Sequence, residues 1–430
     1  MNRLVFFIII LFLLNSCSKD KELNDFNNIE STKDKSIEKL FAEKKTFSQE
    51  LNPNLKLDLK NVKINNKISN KDNDYGFQKY NGAIKKIQNY KFSKFNKNKK
   101  VNLNPLFLSN GIIFFDKKGA IIRFNNNGKI AWKKNFYSKS EKKLEPKLSF
   151  ANYNELLIVT DNIAKYYSVN INTGEINWIK NNTYPFNSEI KVYKNKFFVI
   201  DYKNILRCYN LSDGSKCWSL QTEDSFTISD IKFSLVIVDD LIVFSNSIGD
   251  ITAVDIETGL IRWQLPTQKS SIINETYNFK NSKLVSDSNS LFFSNNKNQF
   301  YSVDMKTGVV NWINKINSHI MPILSGDLIF TISNNGFLYV IEKQNGNIIR
   351  INDLYKVFKN KEREKIFPTG FVIGSSQLYM SNNNGKMFVV DVSDGDILKI
   401  EKISGDFISK PFIFNNNLFV VKNGSIIKYE

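Results

Sequence analysis

The chain has 430 residues, 42% of them hydrophobic with 35 Phe and 17 Tyr, enough to bury two or three ordinary cores or one large all-β architecture. Its formal charge of +18 bears on solubility and partners, suiting anionic lipid, an acidic protein face or nucleic acid, and not on fold. A single histidine, His319, excludes a His-based metal cluster. With no Gly-x-Ser-x-Gly elbow, the sequence also offers no catalytic triad, and His319 reads as an ordinary loop or rim residue.

In chain order, Met1-Asn2-Arg3 is a short positive segment and Leu4–Leu14 is apolar throughout. That is a signal-peptide core, too short to span a bilayer comfortably. It runs into Leu14-Asn15-Ser16-Cys17, which resembles the bacterial lipobox. The resemblance implies cleavage after Ser16 and lipidation of the Cys17 thiol. Because Ser18, not Asp, follows, it also implies the periplasmic face of the outer membrane. Residues 17–79, rich in Lys, Asp, Glu and Asn, read as a lipidated, largely flexible tether. Within it Ser36–Phe47 suits a short helix, and Leu51–Ile64 a short extended segment lying on the body. From Lys79 to Lys100 there are eight lysines and no acids, which suits a solvated edge strand.

Residues 80–430 are organised by a repeat. Its clearest copy is the hairpin Ala253-x-Asp255-x-x-Thr258-Gly259-x-x-x-Trp263, where Thr-Gly supplies the turn and the Asp and Thr side chains bond backbone groups across it. The hairpin glycine recurs as Gly128, Gly174, Gly214, Gly259, Gly308, Gly346 and Gly395, at spacings of 46, 40, 45, 49, 38 and 49 residues. Trp132, Trp178, Trp218, Trp263 and Trp312 each follow such a glycine by four residues, and they are all five tryptophans of the chain. Four short strands per unit at this period indicate an all-β propeller of four-stranded antiparallel blades. After Gly395 only three strands remain, so a strand near Gln88–Asn96 is expected to supply the fourth. That makes an eight-bladed ring latched by the two chain ends, with seven blades as the alternative. The insert Tyr355–Lys365 is the expected short helix. With few glycines, asparagine is expected to do much of the turn work.

The repeat resembles that of the quinoprotein-type propeller superfamily, in which the Trp docks between adjacent blades. Ser302-x-Asp304-x-x-Thr307-Gly308…Trp312 and Ser168-x-Asn170-x-x-Thr173-Gly174…Trp178 match it, whereas Arg350 and Lys399 stand where the sixth and seventh units would carry Trp. Together with the lipobox, the chain resembles the BamB family, propeller lipoproteins of the outer-membrane β-barrel assembly machinery. The resemblance implies a non-enzymatic scaffold that binds the POTRA domains of the barrel-forming subunit through loops corresponding to Thr222–Lys232 and Gln268–Lys280. Unfolded outer-membrane proteins are a further possible partner, and neither a nucleic acid nor a cofactor or metal is expected. The rival reading is a quinone-dependent dehydrogenase. Those enzymes resemble larger propellers with a metal-assisted quinone site and a disulfide between adjacent cysteines, whereas Cys208 and Cys217 are not adjacent. A propeller binding a small ligand in its channel is the third reading. If residues 210 and 215 pair, the hairpin register sets Cys208 opposite Cys217, within disulfide range; a cross-strand disulfide and a buried reduced pair are both open.

Overall fold

The computed structural model describes residues 49–59, 62–65, 73–74, 76–96, 104–223, 232–267 and 280–430. All but Gln49 belong to one compact unit, Glu50–Glu430. The signal segment, Cys17 and the Ser36–Phe47 stretch lie outside the described residues, as do most of the two loops proposed for docking.

The architecture is an all-β propeller of four-stranded blades. Seven sheets each contain four consecutive antiparallel strands and carry one of the seven hairpin glycines, and the seventh is extended by two short parallel strands, Ile64–Asn65 and Phe77–Gln78. Blade four shows the plan, with strands Leu235–Val238, Leu241–Ser245, Ile251–Asp255 and Ile261–Leu265. A further four-stranded sheet is composite. Strands Ile408–Phe414, Asn417–Lys422 and Ser425–Tyr429 are completed on the outside by Lys86–Lys91. The added strand pairs antiparallel with Ser425–Tyr429, Asn89 opposite Ile427, and so ties the two ends of the propeller chain together.

The physical reason for the pattern is burial. A blade's second and third strands are covered on both faces by neighbouring blades, so they read as continuous apolar runs. Leu-Ile-Val-Phe at 241–244 is wholly buried. The outer strands alternate, as in Ile176–Asn181, where only every second residue is partly covered. Asparagine takes much of the left-handed backbone, supplying six of the eleven non-glycine residues with positive φ among the described residues. The Tyr355–Lys365 insert holds a single helical turn at Asn360–Arg363.

Two expectations are corrected. The tether expected over residues 17–79 gives way to the compact unit at Glu50, and the described residues of Leu51–Ile64 lie on the body. Leu51 forms an antiparallel bridge with Ile351 on the outer strand of blade six, the Leu51 and Ile351 amides donating to each other's carbonyls at 3.1 and 2.9 Å. Leu57, Leu59 and Val62 pack on the core shared by blades six and seven. Phe77–Gln78 pairs with the inner strand Pro368–Ile373 of blade seven, and Phe77 is fully buried. Polar composition hid the anchor at Phe77. The second correction concerns the cysteines. Residues 210 and 215 do pair, by an Asn210 N–H donating to the Ser215 carbonyl, but a bulge between Cys208 and Tyr209 shifts the register. Cys208 then faces Trp218, and Tyr209 faces Lys216. Cys217 is the extra residue of the bulge, and both cysteines are free thiols.

Candidate functional site: blade seams and central channel

Each seam between consecutive blades is built from the repeat residues themselves. The Trp132 indole lies against Gly174 of the next blade, Trp178 against Gly214, Trp218 against Gly259, Trp263 against Gly308 and Trp312 against Gly346. A Cβ on any of these glycines would fall 2.6–2.8 Å from the ring. All five glycines also have φ between +68° and +78°, so both the space and the backbone demand Gly. The indole Nε1–H donates to a carbonyl of that neighbouring blade: Ile171 (3.2 Å), Leu211 (3.1 Å), Ile256 (3.3 Å), Met305 (3.0 Å) and Lys343 (3.1 Å) for the five in chain order. The ring supplies area and the N–H a fixed direction.

Where Trp is missing, other groups fill the seam. Arg350 is fully buried, and its guanidinium donates to the carbonyls of Val392 (2.8 Å), Ser393 and Leu55 (3.0 Å). Gly395 of blade seven sits over the Asn352 side chain instead of an indole. Lys399 is turned to Glu401, 2.9 Å away. At the closing seam Gln88, on the Lys86–Lys91 strand, donates to the Asn127 carbonyl at 3.1 Å beside Gly128.

A second repeat position escaped the sequence reading. Asp116, Asp161, Asp201, Asn246 and Asn295 each accept backbone N–H bonds two and four residues on. They close the turn between a blade's second and third strands. Each lies twelve or thirteen residues before the hairpin glycine, a periodicity that was available to find them. Burial raises the Asp161 carboxyl against its hydrogen bonds from Tyr137 and the turn amides, yet its Oδ1 is held by that turn, so this is turn chemistry.

His319 precedes blade six and is partly buried, with its Nδ1 lacking a partner among the described residues. Burial, helped by Lys280, pushes it down to about 4, against the pull of an Asn334 hydrogen bond. Its folded value therefore lies below the unfolded one of about 6.5. The unfolded state binds more protons between the two values, so stability is full above about pH 6.5 and falls as pH drops towards 4. The melting temperature should thus decline from pH 7 to pH 5 more steeply in the parent protein than in His319→Gln. Parallel declines would remove His319 from the account.

The first strands of the blades, with the segments leading into them, surround a central cavity of about 520 Å³. Among the described residues its charged lining comprises Arg123, Lys191, Lys232, Lys283, Glu155 and Glu189. Lys283 Nζ meets Glu189 Oε2 at 2.5 Å, and Lys232 Nζ donates to Ser149 Oγ at 2.5 Å. Burial pushes the Glu189 carboxyl up, but Lys283, Lys191 and Lys410 outweigh it and hold it down at about 2. Among the described residues no group of three or more His, Cys, Asp and Glu side chains could hold a metal ion.

Seams cemented by repeat tryptophans and glycines around a channel define the class, a propeller of the quinoprotein-repeat type. The family model described as outer membrane protein assembly factor BamB matches residues 117–352, and the chain belongs to that family. Among solved structures, BamB from Moraxella catarrhalis is similar at 14% identity and a TM-score of 0.65, over 80% of this chain and 99% of that one. A europium-containing methanol dehydrogenase is similar at 12% identity and a TM-score of 0.57, over 76% and 83%. The quinohemoprotein alcohol dehydrogenase of Comamonas testosteroni is similar at 9% and 0.58, over 82% and 78%. At such identities the likeness is one of fold. No curated protein matches the sequence.

Proposed function

We propose that this protein is a non-enzymatic lipoprotein scaffold of the outer-membrane β-barrel assembly machinery. It is anchored through lipid on Cys17 at the periplasmic face of the outer membrane, and it binds the barrel-forming subunit through its POTRA domains. The observation that carries the reading is membership of the BamB family across the central blades, residues 117–352. The use of the repeat tryptophans as seam cement supports it too, since those side chains are committed to neighbouring blades. On this reading the propeller closes as an eight-bladed ring. A rigid disc presents the loops Thr222–Lys232 and Gln268–Lys280 to the partner, and exposed blade edges offer unfolded outer-membrane proteins a place to pair by strand addition.

The test is gentle detergent extraction of the lipidated protein, with mass spectrometry of what co-purifies. Co-purification of a barrel-forming subunit carrying POTRA domains is expected. Replacing residues 224–231 with a Gly-Ser segment should at least halve that recovery and leave the melting temperature within about 2 °C, because the blade strands on either side end at Gln221 and begin again at Leu235 and are left intact. Recovery of the protein alone, with a quinone chromophore in its absorbance, would overturn the scaffold in favour of the dehydrogenase reading.

A further inference from the structure

We infer that one end of the propeller, where the closing strand Lys86–Lys91 runs past blade one, is a docking surface for the anionic phospholipid headgroups of a membrane. Lys91, Lys94, Lys118, Lys139 and Lys143 meet the lipid phosphates, and Leu144 enters the interface. This surface presupposes the membrane and lipid anchor of the scaffold reading, and adds which face of the body lies on that membrane.

Charge comes first. Residues 79–147 carry eighteen basic residues, seventeen of them Lys, against three acids, Asp116, Glu141 and Glu145. That excess of fifteen is most of the chain's +18. It counts the undescribed residues 97–103, which hold three lysines and no acid. The other undescribed stretches do not cancel it. Residues 17–48 hold seven basic and seven acidic residues, and those from residue 60 onward, outside 97–103, hold four of each. The three acids are themselves engaged. Asp116 is paired with Lys133 at 2.7 Å, Glu141 with Lys165 at 2.6 Å, and Glu145 accepts from the Asn96 side-chain amide.

Topology then gathers the lysines. Strands of a blade alternate in direction, so the turn between its second and third strands and the connection from its outer strand to the next blade fall at one end. Lys118 lies in that turn of blade one, and Lys139, Lys143 and Leu144 lie in the connection from blade one to blade two. Asn135 holds the two together, its amide donating to the Lys118 carbonyl at 3.0 Å. The chain leaving the closing strand joins them. The Phe95 N–H donates to Asn423 Oδ1 (2.8 Å), and the Asn423 amide donates to the Phe95 carbonyl (3.1 Å) in the corresponding turn of the composite sheet. Asn96 then reaches Glu145 in the connection. The connection into the composite sheet adds one exposed acid, Asp406. Lys91, Lys94, Lys118, Lys139 and Lys143 are all exposed. Leu144 stands beside them at 60% exposure, at the end of the short helical turn Glu141–Leu144.

Two observations select a phospholipid surface over other polyanions. The first is side-chain chemistry. The one arginine of residues 79–147, Arg123, is buried and donates to Ile171, Asn172 and Asn110. Nucleic acids are read with arginine forks and exposed aromatic rings, whereas the exposed large apolar residues described in this stretch are Ile87, Ile130 and Leu144, all aliphatic. Lysines beside an aliphatic side chain suit a headgroup layer, where phosphate takes the charge and the acyl boundary takes the leucine. The second observation is where the N-terminal chain meets the body. Glu50 lies beside Asp353, the last residue of the outer strand of blade six, and accepts from its N–H at 3.1 Å. It also pairs with Lys356, in the connection that follows, at 3.3 Å. That is the same end of the blades, so the chain leading back to Cys17 joins the body at the end that carries the lysines.

The protein should be extracted from its membrane in detergent and reconstituted with vesicles of phosphatidylcholine, alone or with about 30% phosphatidylglycerol, at low salt. Flotation reads binding, and brief acetylation of lysines followed by peptide mass spectrometry reads which face is covered. Flotation with both vesicles is expected, with Lys94, Lys118, Lys139 and Lys143 labelled at least about threefold more slowly on the anionic ones. Lys216 and Lys306, exposed at the hairpin end of blades three and five, should change less than about 1.5-fold, and about 0.5 M salt should remove most of the protection. Flotation with both vesicles but equal labelling of the four lysines on each would overturn the docking surface and leave the anchor standing. Flotation with the anionic vesicles alone, with the same four lysines protected, would support the surface and overturn the anchor. Equal protection of Lys216 and Lys306, or equal protection of the four lysines by a short DNA duplex added on neutral vesicles, would overturn the assignment to lipid.

Discussion

Trp263→Ala is expected to destabilise the protein by about 3–5 kcal/mol, the usual cost of truncating a buried aromatic side chain and leaving a cavity. Trp263 is 8% exposed and packs in the core shared by blades four and five. Its truncation also leaves the Met305 carbonyl without the indole donor at 3.0 Å. Trp132, at the seam between blades one and two, is only partly buried, so Trp132→Ala should cost visibly less. Trp263→Phe keeps most of the volume and loses the N–H, for a loss of roughly 1–2 kcal/mol. Urea denaturation followed by circular dichroism reads all three. A Trp263→Ala change below about 1 kcal/mol would mean that the seams are not held by these indoles.

Arg350→Ala is expected to cost about 3–5 kcal/mol, by removing the central member of a buried polar network. Its guanidinium joins three backbone carbonyls from two places in the chain: Val392 and Ser393 in the blade-seven hairpin, and Leu55 in the incoming segment. Burial pushes its ionisation down, against the weaker pull of Asp394, Asp391 and Asp396. The same variant should also free residues 50–59. The Leu51 and Leu57 amides, bonded to the Ile351 and Ser393 carbonyls, should exchange with solvent at least about tenfold faster than in the parent. Arg350→Lys should not rescue, since one ammonium cannot reproduce a planar fork aimed at several acceptors. Exchange unchanged in Arg350→Ala would show that the segment is held by its apolar contacts alone.

The repeat was legible because its physics is local. A hairpin turn needing left-handed backbone selects Gly at one position, and the strand leaving that turn carries, four residues on, the indole that packs on the equivalent glycine of the next blade. Both leave a fixed spacing in the sequence, and so did the missing fourth strand after Gly395, which Lys86–Lys91 supplies. The Arg350 substitution was visible as a gap in the pattern but not as a clamp, because its acceptors lie 43 residues ahead and 295 behind. The anchor at Phe77 was obscured for a related reason. It pairs with Ile373 of blade seven from within a stretch whose composition is that of a solvated tether.

By itself the sequence determined the all-β class, the blade period and the tryptophan–glycine seams, since these depend on residues within one unit and its neighbour. The cysteine register was decided only by the folded hairpin. There the bulge at Cys208/Tyr209 inserts one residue and sets Trp218 opposite Cys208, a shift that the spacing of residues along the chain does not contain. The cavity is likewise a product of tertiary structure. Lys191, Lys232, Lys283, Glu189 and Gln78 belong to different blades and to the short strand Phe77–Gln78. They meet because ring packing turns every first strand towards one axis, and no spacing in the sequence records that convergence.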